Sequence, residues 1–298
     1  PQTFAAWVWS PETGWVGTTG AVKDSPQEQL AFSVALFDRN ELEAARKEFE
    51  KLLKHYEESR EAVEAQYYVA RCREEEGDYY KAFLEYRKTI QKYPSTKRFD
   101  EILERQYQIG NYFLSGNKRK LLGTAAILPA RDKAIEIYQA IIEDGPFSEY
   151  GELSQYKLGL AHLTLGDYEE AVNAFEQLIN NYPESVLVDD SRFQIALASL
   201  KGTFKPGYDQ SATDSAIKEL QTFLARYTES ELLEDAKQRL TELMERRAEH
   251  EFQVAQFYER RGEYLSAMLY YGTIVNEFPK TSWAPEAAAR IHILEKKL

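Results

Sequence analysis

Four histidines, one cysteine and several paired carboxylates are the side chains most suited to metal binding, nucleophilic attack or acid–base work, and their spacing argues against all three. His55, His162, His250 and His292 stand far apart, and His250-Glu251 is not followed by a second histidine where a helical zinc site requires it. Cys72 has no histidine nearby and no second cysteine to pair with, so it reads as a small packed residue. There is no glycine-rich phosphate loop, no GxSxG elbow and no Cys-x-x-Cys pair. Asp189 and Asp190 read as helix-start charges facing the macrodipole rather than as a catalytic pair. The expectation is therefore a chain with no catalytic residue, no metal and no cofactor, whose function lies in a surface.

Composition narrows the partners of that surface. Thirty-seven basic side chains against 49 acidic ones give a net charge of -12, which would repel a phosphate backbone, so nucleic acid is not an expected partner. With 298 residues, 43% hydrophobic and 29% charged, the chain has enough apolar material to fold. Its longest weakly polar stretch, Leu121 to Ala130, falls well short of the roughly 20 residues of a membrane-spanning helix, so the chain as given reads as soluble. It begins at Pro1 with neither an initiator methionine nor an apolar signal segment, as a mature or trimmed form would.

The elements that present the surface follow from an internal repeat. Ala45, Ala82, Ala134, Ala171, Ala216 and Ala267 align as the small residue near the start of the second helix of a pair. One turn further stand Phe49, Tyr86, Tyr138, Phe175, Leu220 and Tyr271, which places a bulky residue on the same buried face each time. Fourteen residues after each alanine comes Ser59, Thr96, Ser148, Ser185, Ser230 or Thr281, a hydroxyl expected to accept backbone N–H groups where the next helix begins. Pro94, Pro146, Pro183 and Pro279 punctuate the joints between pairs, and Gly77, Gly166 and Gly262 mark turns within them. Residues 152–185 match the tetratricopeptide pattern of about 34 residues, with Gly159, Gly166, Tyr168, Ala171, Phe175 and Pro183 at its positions.

The predicted fold class is thus all-α: a right-handed tetratricopeptide α-solenoid of about six helix pairs, a curved rod closed by a capping helix. The units fall at about 26–59, 60–96, 97–148, 149–185, 186–230 and 231–281, with the cap at 283–298. Extra residues gather in SGNKRKLLGTAAILPA and TFKPGYDQS, and the run from Glu231 to Arg261, without proline or glycine, predicts one long helix. In the cap, Ala288, Ile291 and Leu294 are expected to share the buried face. Residues 1–25 form an extended, tryptophan-rich segment in which Trp7, Trp9 and Trp15 could pack on the solenoid, dock a partner or belong to a tether near a membrane. Lys118, Arg119 and Lys120 open an insert that could be solvated, touch a partner or lie at a lipid surface.

In a tetratricopeptide array the first helix of each pair lines the concave side. Its fifth position is aromatic in units two to six: Tyr67, Tyr107, Tyr156, Phe193 and Phe252. One turn on stand Arg71, Asn111, Leu160, Leu197 and Gln256. Two readings stay open, rings packed between repeats or an amphipathic peptide groove of Tyr67, Arg71, Tyr107, Asn111, Tyr156, Leu160 and Phe193, where rings take apolar anchors and polar groups bind main chain or carboxylate.

Near the end, RRAEHEFQVAQFYERRGEYLSAMLYYGTIVNEFPKT carries Glu251, Val254, Ala255, Tyr258, Arg261, Gly262, Tyr264, Ala267, Pro279 and Thr281 in a pattern that resembles the last repeat of the BamD family, tetratricopeptide lipoproteins of the bacterial outer-membrane β-barrel assembly machine. The similarity covers about residues 26–284. It implies a non-catalytic scaffold on the periplasmic face of the outer membrane, held there by an N-terminal lipid that this chain does not carry. It also implies protein partners: a barrel-assembly subunit docked near Glu251, Tyr258 and Arg261, and unfolded outer-membrane protein peptides bound by the N-terminal repeats. Rival readings are a periplasmic scaffold for cell division or envelope constriction of the Tol-Pal type, and the helical domain of a peptidoglycan lytic enzyme.

Overall fold

A computed structural model describes residues 7–10, 14–17, 22–116, 131–202 and 211–298. The insert with Lys118, Arg119 and Lys120 lies outside them, as does most of TFKPGYDQS. Two short strands, β1 (Trp7–Ser10) and β2 (Gly14–Gly17), pair antiparallel with Val8 opposite Val16 and Trp9 opposite Trp15. Thirteen described helices follow. They fall in two compact units, Pro1–Leu158 and Gly159–Leu298.

In the first unit, α1 (Pro26–Asp38) and α2 (Leu42–His55), α3 (Glu61–Glu75) and α4 (Tyr79–Lys92), and α5 (Phe99–Leu114) and α6 (Arg131–Asp144) form three helix hairpins, each packed on the next. Helix α7 (Glu149–Leu165) carries the division between units. In the second unit α8 (Tyr168–Asn181), α9 (Val188–Gly202), α10 (Ser211–Arg226), α11 (Leu233–Arg260), α12 (Tyr264–Glu277) and α13 (Ala284–Glu295) pack in sequence. The long helix expected from Glu231 to Arg261 is α11, 28 residues.

The repeat register is the packing register. All six aligned alanines are fully buried, and so are Phe49, Tyr86, Tyr138, Phe175, Leu220 and Tyr271 one turn on. This arrangement of helix hairpins is a tetratricopeptide α-solenoid fold. Small residues on the facing helix let the rings in: a Cβ added at Gly159 would lie 2.5 Å from Cε1 of Phe175. Gly77, Gly166 and Gly262 hold positive φ of 76°, 85° and 76° at the turns inside their pairs, a conformation glycine adopts without strain.

Between pairs, one backbone device recurs six times. The hydroxyl residue donates its N–H to the carbonyl three residues back, and its own carbonyl accepts from the residue three ahead, as in Tyr93–Thr96–Phe99 and Phe278–Thr281–Ala284. The side chains are less uniform than the sequence predicts. Thr96, Ser148, Ser185 and Ser230 accept from backbone N–H groups at 3.0–3.3 Å. Thr281 instead donates to the Phe278 carbonyl at 2.7 Å, and Ser59 Oγ is buried without a partner among the described residues. The backbone turn already orders the joint, so the hydroxyl is an addition to it.

The cap needs one correction. Ala284, Ala287 and Leu294 are buried, Ile291 packs partly, and Ala288 is exposed. The first turn of α13 faces the core through Ala284 and Ala287, one residue round from the expected position.

Candidate functional site

The five aromatic positions on the first helices do not form one uniform stripe. Tyr67, Phe193 and Phe252 are sealed, at 1%, 3% and 2% exposure, while Tyr107 and Tyr156 are half-buried. Tyr67 and Phe193 therefore serve as inter-helix packing rather than as open groove walls, the first of the two readings the register leaves open and a correction to their place in the groove. Periodicity gives the face of a helix, but the neighbouring pair decides how much of that face is covered. For Tyr67 the covering side chain is Arg98, whose guanidinium lies 4.2 Å from the ring centroid; for Phe193 it is Phe223, at 5.8 Å.

What remains open in the first unit is a polar-edged patch. Tyr107 packs against Tyr150 and Tyr138, with centroids 5.7 and 6.1 Å away. Asn111 accepts a 2.9 Å hydrogen bond from the Tyr138 hydroxyl. Burial pushes the Tyr107 phenol up, and a hydrogen bond with Asn111 partly offsets it. Arg71 donates to the Tyr67 hydroxyl at 3.3 Å and to Glu75 at 2.9 Å, and it stays half-buried with its guanidinium toward Phe37. Leu160, also half-buried, and Phe193 belong to the second unit.

Around Arg71 lies a charge network that the sequence reading missed. Glu74 accepts from the Tyr86 hydroxyl at 2.5 Å and from Arg105 at 3.2 Å. Glu101 accepts from the Tyr67 hydroxyl and, at 2.7 Å, from Arg98. The same staple recurs in the second unit, where Glu259 accepts from the Tyr271 hydroxyl at 3.0 Å and from Arg290 at 3.1 Å. Sequence offsets are identical in the two copies, 12 residues from tyrosine to glutamate and 31 from glutamate to arginine. Each staple ties the two helices of one pair to the helix that follows, α5 in the first copy and the cap α13 in the second.

The residue before the fifth position of the first helix has a structural role of its own. Gln29 and Gln66, both buried, donate to Glu48 and Glu85 at 2.9 and 2.7 Å, each bond spanning 19 residues within its pair. Glu251 holds this position in the sixth pair. It is 7% exposed and ion-paired with Arg247, which also bonds Asp214 at 2.8 Å. It is therefore a buried residue paired along its own helix and not the surface docking group the resemblance implies. Tyr258 is half-buried and stacked on Tyr270 at 5.4 Å, while Arg261 is exposed, paired with Glu263 at 2.9 Å and set over Phe257 at 5.4 Å. Phe257 is 48% exposed, so Phe257 and Arg261 are accessible at that end beside the half-buried Tyr258.

No group of three potential metal ligands occurs among the described residues. Cys72 is buried, and burial followed by the Glu76 carboxylate pushes its thiol up to about 12, well away from thiolate chemistry at neutral pH. Burial, then Glu259, likewise raises the Tyr271 phenol from 10.0 to about 12, and Tyr86 and Tyr138 are raised further. The folded chain thus keeps phenolic protons that the unfolded chain releases. The stability these phenols contribute is fully present below pH 10 and is lost as pH rises from 10 towards 12. Urea midpoints measured across that window should drop, and Tyr271→Phe should show a shallower drop than the parent; an identical slope would contradict the assignment.

The family pattern YfiO, described as an outer membrane lipoprotein, matches residues 130–298, and a tetratricopeptide repeat pattern matches residues 30–95. Outer membrane protein assembly factor BamD of Caulobacter vibrioides is 24% identical over 160 residues, 54% of this chain and 52% of that protein. BamD of Xylella fastidiosa is 24% identical over 164 residues, and that of Neisseria gonorrhoeae 23% over 179, covering 56% and 66% of those proteins. The chain spans about half the length of the first two. Among solved structures, MamA is 17% identical and covers 68% of this chain and 92% of its own at a TM-score of 0.37. A tetratricopeptide repeat protein from Parabacteroides merdae is 13% identical, with 92% and 100% coverage and the same TM-score.

Proposed function

Because this chain belongs to the YfiO family of outer membrane lipoproteins, we propose that it is a non-catalytic scaffold for outer-membrane protein assembly, placed on the periplasmic side of the outer membrane. The observation that carries this reading is the family match across residues 130–298, joined to a fold of helix hairpins packed in sequence. No described helix is long and apolar enough to cross a membrane.

In the first unit, the client-binding face is the set Arg71, Tyr107, Asn111 and Tyr156. Half-buried tyrosines lose little conformational freedom on binding and offer both a ring and a hydroxyl, which suits an extended apolar segment with main-chain groups to satisfy. In the second unit, Tyr258 and Arg261, with Phe257 beside them, are the surface for a barrel-assembly subunit. Aromatic and arginine side chains concentrate binding energy at such contacts.

The test is affinity for a fluorescent peptide copied from an outer-membrane β-barrel strand. Tyr107→Ala should weaken binding by about 1–3 kcal/mol if the ring is a hot spot, with the helical signal retained. An unchanged affinity in a folded variant would remove this face from the binding surface.

A further inference from the structure

The second and sixth helix pairs share the same staple, and a contrast in charge beside it exposes a site. Glu74, Tyr79, Tyr86 and Arg105 of the second pair and its neighbour correspond to Glu259, Tyr264, Tyr271 and Arg290 of the sixth. In the second pair Arg71 fills the space beside this staple and is held by Glu75 at 2.9 Å. In the sixth, the same two positions are Gln256 and Arg260. The arginine that fills the space has become a shorter neutral side chain, and the carboxylate has become a cation. Arg98, which lies over Tyr67, is replaced by Trp283, whose ring is 4.9 Å from Phe252.

The result is a cavity of about 320 Å³ lined by Gln256, Glu259, Arg260, Tyr264, Arg290 and Lys297. Three cations face one carboxylate, and that carboxylate is already engaged by Arg290 and the Tyr271 hydroxyl. Arg260 and Lys297 have no carboxylate partner among the described residues; Lys297 sits 5.4 Å from the centroid of the Tyr264 ring. Gln256 adds an amide that can donate and accept.

We propose that this pocket binds a carboxylate carried by a partner polypeptide, which takes the place that Glu75 occupies beside its arginine in the second pair. A guanidinium fork matches the planar carboxylate, and a bond between two charged groups is stronger than a neutral one. The carboxylate can come from a chain terminus or from an acidic side chain, and both present the same group. The site lies in the second unit, whereas the client face proposed above lies in the first, so each can fail without the other.

The test uses three acetylated Gly-Ser decapeptides: one with a free C-terminus, one amidated, and one amidated with two central glutamates. Side-chain NMR signals of Arg260 and Lys297 in the full chain are followed during titration. Saturable shifts are expected with the free terminus, the glutamates or both, identifying the source, and none with the neutral amidated peptide. Gln256→Arg with Arg260→Glu rebuilds the ion pair of the second pair and should weaken binding about tenfold or more. If that double variant loses its fold, Lys297→Gln in a folded chain should still weaken binding several-fold. No saturable shift with any carboxylate peptide, or equal affinity in the folded variants, overturns the proposal.

Discussion

Phe175→Ala should destabilise the chain by about 3–5 kcal/mol, the cost of emptying a site that a fully buried phenylalanine fills. The ring is held against the backbone of α7 at Gly159, where even a methyl group would collide with it at 2.5 Å. Little can move in to fill the space, because the facing position has no side chain to reorient. Thermal or urea unfolding should show the loss, and Phe175→Leu should recover much of it by keeping most of the volume. A loss below about 1 kcal/mol for the alanine variant would mean that the helices close over the gap and that this register is not tightly specified.

Glu74→Ala should cost about 2–4 kcal/mol, for a different reason. The Tyr86 hydroxyl belongs to a fully buried side chain and would lose its acceptor, while Arg105 and Arg71, at 3.2 and 3.8 Å, would lose a counter-charge. The Glu74 side chain keeps 16% exposure, so solvent offsets part of the charge loss and places the effect below that of a fully buried pair. Glu74→Gln retains an acceptor for the phenol and should lose about half as much. In a double-mutant cycle, Glu74→Ala and Tyr86→Phe should be strongly non-additive, since removing the hydroxyl removes the need for its acceptor. Additive effects would show that the staple contributes no coupling.

These two sites differ in how they could be read from sequence. Ala171 and Phe175 stand out because repeat register alone predicts a small residue and a bulky one a turn later, and every copy is buried. The Glu74–Tyr86–Arg105 staple is invisible in a single repeat, since its offsets cross a turn and a joint. It emerges only when Glu259, Tyr271 and Arg290 show the same offsets. The aromatic position of the first helices was legible as a face but not as a degree of exposure. Whether Tyr67 is covered and Tyr107 left half-open depends on what the next pair supplies, Arg98 in one case and Tyr150 in the other. Glu251 misled for a related reason: its charge suggests a surface, but it occupies the buried polar position that Gln29 and Gln66 fill, and Arg247 makes this tolerable.

The resemblance to BamD read from the last repeat and the family match over residues 130–298 agree. They name a family, while the open faces of each unit indicate where binding would occur. Exposed ion pairs elsewhere, such as Lys47 with Glu43, contribute little to stability and leave the scaffold free to vary on its outer surface.

Site-specific photocrosslinking tests the binding face most directly. A photoreactive phenylalanine analogue replaces Tyr107, Tyr156 or, as a control on the exposed side of α4, Lys88, and the chain is mixed with an unfolded outer-membrane β-barrel polypeptide. Crosslinks from 107 and 156, with none from 88, are the expected result. Equal crosslinking from all three, or crosslinking from 88 alone, would contradict a scaffold that grips its client through the inner helices of the first unit.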